Sequence, residues 1–365
     1  MLRSQVRISF FAAAFLSLVI ACTQDDLYKG PEDIDRELIN AMERHSPTGS
    51  IDYYMLPGDG EYSSLPQDPK NPITKAKVEL GKQLFHETCI SIDGFGPREN
   101  FQTWSCASCH HVDAGFQSGL RQGIGEGGQG FGFQGEQRSA IPGYHDTMFD
   151  VQPTKSPTIA NVAYQELMLW NGQFGATGAN IGTEAQWEAG TPKETNHLGF
   201  QGVETQAIAA LKVHRLLIDS SLINQAPQYE DLFDAAFGHL PREERVNQIT
   251  GGLAIAAYER TILTNQSPYQ RWLRGEYDAM NENQKKGAIL FFGKAACYQC
   301  HTGPALNSME FHAIGMKDLL GPEIIRSNPN DPAHLGRGGF TQNPDENYKF
   351  KTPQIYNLRE ALFYG

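Results

Sequence analysis

The sequence predicts a mostly α-helical protein built as two related domains with long loops, and three observations carry that expectation. A Cys-x-x-Cys-His motif occurs twice, as Cys106-Ala-Ser-Cys109-His110 and Cys297-Tyr-Gln-Cys300-His301. Each copy follows a helical pattern ending in a similar apolar stretch, Gly81-Lys-Gln-Leu-Phe85 and Gly287-Ala-Ile-Leu-Phe291. Alternating β-branched runs are scarce, so there is little for strands to form on. A tandem of two units also suits 365 residues, which is long for one core.

The first 21 residues read as an export leader. Arg3 and Arg7 form a positive start, Ile8–Ile20 is a largely apolar run of 13, and Ala21-Cys22 follows. That run is short of the roughly 20 residues a membrane-spanning helix needs. Val19-Ile20-Ala21-Cys22 resembles a bacterial lipobox, so Cys22 is expected to be lipidated and to anchor a periplasm-facing protein to its membrane. The rival is an ordinary leader with a coincidental cysteine. Residues 22–71 are polar and rich in Pro, Gly and Asp, and are expected to be a tether. The first unit is then expected over 72–221 and the second over 222–365. Without Arg3 and Arg7 the chain keeps 28 basic against 42 acidic residues, a net charge near −14. Such a surface argues against nucleic acid and suits a basic protein partner.

Of the six cysteines, Cys22 belongs to export and Cys89 stands alone as a quiet thiol. The other four admit three chemistries. A zinc site could use paired cysteines, though its pairs usually lie about 15–20 residues apart. A redox dithiol needs no histidine. Covalent c-type haem needs all three residues: two thioethers to hold the porphyrin and the adjoining imidazole to ligate iron. Two complete motifs behind an export signal favour two haems, with His110 and His301 as proximal ligands.

Helices are expected at Lys75–Phe85, Gly202–Leu217, Tyr229–Phe237, Arg242–Leu263 and Glu282–Phe292. Cys297 lies six positions after Phe291, whereas Cys106 lies twenty-one after Phe85, so the first unit carries an inserted loop at Ser91–Thr103. The segment Gly115–Gly135 contains a nominal G-x-G-x-x-G at Gly123–Gly128. With no preceding strand and no βαβ unit, it is not a dinucleotide site and reads as a flexible loop near the first haem.

Taken in order, LGKQLF (Leu80–Phe85), SCASCH, SPTIANVAY (Ser156–Tyr164), LWNG (Leu169–Gly172), ETQAIAAL (Glu204–Leu211), AIAAYERTI (Ala254–Ile262), GAILFFGKAACYQCHTGPAL (Gly287–Leu306) and FKTPQIYNL (Phe350–Leu358) resemble the bacterial di-haem cytochrome c peroxidases, the family that also contains MauG-type enzymes. The resemblance runs from about Ile73 to the C-terminus. It implies two cytochrome c-like domains and reduction of hydrogen peroxide to water. Electrons from a small c-type cytochrome or similar donor would enter at the haem of His301 and pass to a peroxide-reacting haem at His110. Trp170 matches a tryptophan that lies between the haems, while Asn171 and Gln173 replace the usual Asp and Arg. A calcium ion between the domains is also implied, with Ser156 in place of the usual Asn and Thr352-Pro353 matching its neighbourhood. Members are often homodimers.

The resemblance departs where peroxide would be handled. Gln206 matches a distal glutamine, but the position of the usual glutamate is Leu216. On a helix, Gln206, Ala210 and His214 share one face. His214 is therefore the expected proton-handling substitute, assisted by Arg215, with Glu204 a further candidate. His145 is the candidate resting ligand of the first iron; His111 is too close to His110 to reach the opposite face. The family continues past the match to LREALFYG, so the chain is expected to be a fragment lacking the sixth ligand of the second haem. Two rivals stand beside the peroxidase: a MauG-like oxidase of a protein or small molecule, and a pure electron-transfer module with both irons six-coordinate.

Overall fold

A computed structural model describes residues 31–321 and 323–361. The expected leader and Cys22 lie outside the described residues. No described helix is long and apolar enough to cross a membrane.

Nine helices and two short antiparallel strand pairs are laid out in chain order among the described residues. They are α1 (Asp33–Glu43), α2 (Lys75–His86), β1 (Gly128–Gln129), β2 (Ser139–Ala140), α3 (Gly202–Val213), α4 (Ser220–Gln225) and α5 (Gln228–Phe237). There follow α6 (Gln248–Arg260), α7 (Pro268–Leu273), α8 (Glu282–Phe292), β3 (Phe311–His312), α9 (Arg337–Thr341) and β4 (Phe350–Lys351). The mostly α expectation holds. The strands pair antiparallel, β1 with β2 and β3 with β4.

Local chemistry sets the helix ends. Thr74 accepts the backbone N–H of Lys77 to start α2, and Asn281 caps α8 through Gln284. The helix expected over Gly202–Leu217 stops at Val213, because Arg215 turns into the left-handed region at φ 60°.

Two cores form. In the first, α6 is buried along nearly its whole length between α2 and α3, with α4 and α5 closing the side. A Cβ on Gly81 would stand 1.9 Å from the Ala254 carbonyl oxygen, so the close crossing of α2 and α6 requires glycine there. The Arg260 guanidinium, fully buried, donates to both carboxylate oxygens of Glu204 at 2.8 and 2.7 Å, tying α6 to α3. The second core gathers α1, α7, α8 and Tyr356.

Two expectations about organisation are overturned. The tether over 22–71 is folded from Asp33 onward: Asp35 of α1 is buried against the Lys285 ammonium at 2.8 Å and the Trp272 indole N–H at 2.7 Å. Leu38 and Met42 complete this apolar face, a pattern diluted by the charged residues around it. The division at 221 and 222 also fails. Residues 222–262 belong to the first core, and residues 38–56 belong to the second.

Arg337 joins the two parts. It lies 4.6 Å from the Phe311 ring and donates to the Asn180 side chain and the Ala179 carbonyl, both at 2.7 Å, and to the Gly172 carbonyl at 3.2 Å. It therefore grips the turn that carries Trp170.

Removing one partner of a fully buried ion pair strands the other charge. Arg260→Met is expected to cost about 3–5 kcal/mol in chemical denaturation. The double variant Glu204→Leu/Arg260→Met should recover most of that loss, and a double variant as unstable as the single would refute the assignment.

Candidate functional site

The two Cys-x-x-Cys-His motifs fold alike. Each opens on a 3₁₀ turn, Cys106–Ser108 and Cys297–Gln299. In the first, the His110 Nδ1–H donates to the Phe116 carbonyl at 3.1 Å; in the second, His301 donates to the Leu306 carbonyl at 3.1 Å. Both accepting residues sit in the left-handed region, Phe116 at φ 57° and Leu306 at φ 48°, so the chain turns back to meet the ring. A proton fixed on Nδ1 leaves the Nε2 lone pair for a metal, the usual second-shell arrangement of a ligating histidine.

These residues fit haem c better than zinc or a dithiol. None of the four cysteines is in a disulfide among the described residues. Burial pushes Cys109 up to about 12 and Cys106 higher, opposite to the thiolate character that zinc or redox chemistry uses. Among the described residues no group of three or more His, Cys, Asp and Glu side chains could hold a metal ion. Burial, with the Phe116 carbonyl opposing it and the charges of His214 and His111 adding to it, holds His110 down at about 4, a neutral imidazole suited to iron. A Cβ on Gly123 would stand 2.8 Å from the Cys109 sulfur, so glycine clears that flank.

Gln206 lies on α3. Most of its side chains pack into the first core, but Gln206, Ala210, Val213 and His214 are only half-buried and form one stripe. The structure thus brings Gln206 and His214 to one face, as the spacing predicted. The His214 Nδ1 lies 2.9 Å from Asp150 Oδ2, and its side chain is 33% exposed against 4% for Asp150. Burial works against a charge on this imidazole, but the Asp150 carboxylate outweighs it and raises His214 above its ordinary value.

Other expected residues are placed elsewhere. Glu204 is not on the open stripe; it is fully buried in the Arg260 pair. Arg215 turns away, its guanidinium bound to the Glu126 carboxylate and the Met148 carbonyl and stacked 4.2 Å from the Phe95 ring centroid. His145 is exposed, and its Nδ1 is engaged with the Thr147 hydroxyl at 2.8 Å, capping a turn. His111 donates to the Ser108 carbonyl and is structural. Trp170 ties two segments together: its indole N–H donates to the Lys155 carbonyl at 2.8 Å, and its carbonyl accepts the Lys351 N–H at 2.7 Å. Beside it the buried Lys351 ammonium donates to Gln165 Oε1 at 2.6 Å, placing a fixed cation next to Thr352, in the neighbourhood expected for calcium.

Sequence reasoning missed three carboxylates. Asp150 lies 64 positions from His214, and Glu126 lies 89 from Arg215, so no local spacing links them. Glu126 is fully buried and also accepts the Gly96 and Phe95 N–H groups and the Tyr144 hydroxyl. It makes the Gly-rich segment an ordered wall and not a flexible loop. The third, Glu259, is buried near Cys106 with Oε2 unpartnered.

The fold and the two Cys-x-x-Cys-His motifs define a di-haem c-type cytochrome. Residues 75–278 match the di-haem cytochrome c peroxidase family, and the chain belongs to that family. It is 29% identical over 299 residues to the methylamine utilization protein MauG of Methylorubrum extorquens, covering 81% of this chain and 66% of that one. It is 26% identical to the cytochrome c551 peroxidase of Nitrosomonas europaea, covering 77% of this chain and 65% of that one. With the cytochrome c peroxidase Ccp of Escherichia coli the identity is 28%, over 82% of this chain and 52% of that one. The chain thus spans about two thirds of the first two relatives' length and about half of the third's. A solved MauG-like protein associated with microbial copper homeostasis shares the fold, with a TM-score of 0.55 and 23% identity over 85% of this chain and 77% of that one.

Burial raises Glu259 from 4.5 to about 8, with Glu204 adding to the rise and Arg260 opposing it. The folded protein therefore keeps a proton that the unfolded chain releases, and stability falls as pH rises from about 4.5 to about 8. Glu259→Gln is expected to remove that fall, gaining on the wild type progressively across this window in denaturant titrations. A constant difference at all pH values would contradict it.

Proposed function

We propose that this chain acts as a di-haem peroxidase that reduces hydrogen peroxide to water at the face of α3. One haem c would be held by Cys106, Cys109 and His110, the other by Cys297, Cys300 and His301. When bound, the iron supplies the redox chemistry of O–O cleavage. The observation that carries the reading is the shared open face of Gln206 and His214, with His214 held at Nδ1 by Asp150.

The protein's part is proton traffic. His214 Nε2 would take one proton of the peroxide and return it to the departing oxygen, which leaves as water. Gln206 hydrogen-bonds the bound peroxide through its side-chain amide and orients it. Two electrons and two solvent protons per peroxide complete the formation of two waters. The electrons come one at a time from a small c-type cytochrome, enter at the His301 end and pass by Trp170. The acidic chain suits a basic donor, and export with a lipid on Cys22 would place it facing the periplasm.

General acid–base groups of this kind contribute about 10²–10⁴-fold. His214→Ala is therefore expected to lower peroxide turnover by at least about 100-fold with a reduced cytochrome as donor, haem content unchanged. Wild-type turnover in that variant would end the assignment.

A further inference from the structure

The peroxidase reading leaves the Gly-rich segment without a chemical role, and the geometry gives it one. We propose that Asp150 is a positioning residue for His214, with Gly125 making room for its carboxylate. Asp150 fixes the imidazole proton on Nδ1 and turns the Nε2 lone pair to the side of α3 shared with Gln206. The inference rests on the peroxidase reading of that face.

Four observations support it. Asp150 Oδ2 meets His214 Nδ1 at 2.9 Å, while Oδ1 accepts the Gln152 side-chain amide at 3.2 Å, so the carboxylate has one fixed orientation. Its backbone is bonded to the Gly-rich segment in both directions, Gly125 N–H to the Asp150 carbonyl at 2.9 Å and Asp150 N–H to the Glu126 carbonyl at 3.1 Å. A Cβ on Gly125 would stand 2.1 Å from Asp150 Oδ2, the same oxygen that holds His214. Finally, Glu126, next in sequence to Gly125, binds Arg215, next to His214. Two consecutive residues at the end of α3 are thus gripped by carboxylates whose backbones are bonded to each other. The other charged groups near this pair are Arg215 and His110 on the imidazole side and Arg138 and Cys109 on the carboxylate side.

The chemistry follows from the tautomer. A neutral imidazole with its proton on Nδ1 has one acceptor, Nε2, which is what a proton shuttle needs. Without the carboxylate the ring loses its preferred tautomer, its orientation and the partner that stabilises the imidazolium.

The test uses the full chain carrying both haems and cyanide as the probe. Cyanide enters as the neutral acid and gives its proton to the distal base, so its affinity reads that base without turnover. The affinity of the N-terminal haem is followed by absorption from acid to alkaline pH in wild type, Asp150→Asn, His214→Ala and the double variant. Asp150→Asn is expected to weaken cyanide by about 10–100-fold near neutral pH, the range for outer-shell partners, and to move the profile to lower pH. It should have no further effect in the His214→Ala background. Gly125→Ala, which crowds the same oxygen without changing charge, should move the profile the same way, and it decides the matter if Asp150→Asn does not fold. A wild-type profile in the variant that folds, or an equal loss in the His214→Ala background, would overturn the proposal. Failure of the peroxidase reading looks different: His214→Ala would then keep peroxide turnover whatever Asp150 does to cyanide.

Discussion

Helix α3 is pinned at both ends by buried charge, and the distal face depends on that. Near its start Glu204 is bound by Arg260, which also donates to the Gln201 side chain at 3.0 Å and the Pro66 carbonyl at 3.1 Å. At its end Arg215 and His214 are bound by Glu126 and Asp150. Buried ion pairs add little net stability over apolar packing, but they tolerate few alternative arrangements. A helix held in this way cannot roll, so the stripe of Gln206, Ala210 and His214 keeps its aim. The left-handed Arg215 fits the same logic. A non-glycine residue at φ 60° is costly, and here a buried ion pair holds the turn that ends the helix one step after His214.

The two haem motifs show how one local solution is used in different surroundings. Each histidine finds a carbonyl on a left-handed residue a few positions downstream, which fixes its tautomer. The surroundings then separate the roles. The first motif lies against the α2–α6 core with His214 close enough for its charge to be felt at His110. The second is more open, with Cys297 exposed and Tyr298 stacked on His45 at 3.8 Å. The first motif is therefore enclosed by the core, and the second lies open near the surface.

What could be read from sequence was what is local. The haem motifs, the helices at Lys75 and Glu282, and the single face of Gln206 and His214 all follow from spacing within a few turns. What could not be read depends on long closure. The pairing of Asp35 with Lys285 makes a folded helix of a segment whose composition resembles a linker. Glu204 has the composition of a catalytic acid, but its burial beside Arg260, 56 positions away, decides otherwise. The His214–Asp150 pair was legible only in half. His214 stood in the right helical register, but its carboxylate came from a separate loop.

The Gly-rich segment shows why a motif needs its geometry before its chemistry. Its glycines were judged by the dinucleotide pattern, which they lack the strand and helix to serve. Their common property is instead clearance. Gly123 leaves space for the Cys109 sulfur, Gly125 for the Asp150 carboxylate, and Gly128 for the Arg138 guanidinium, whose side chain would stand 2.7 Å from an added Cβ. Arg138 in turn donates to the Gly125 carbonyl at 2.7 Å and the Gly130 carbonyl at 3.1 Å, closing the segment on itself. A wall that carries charged groups up to a haem-binding cysteine and a distal imidazole must bring its backbone very close to both. Side chains at those positions would push it away, so the glycines follow from the carboxylate that His214 needs.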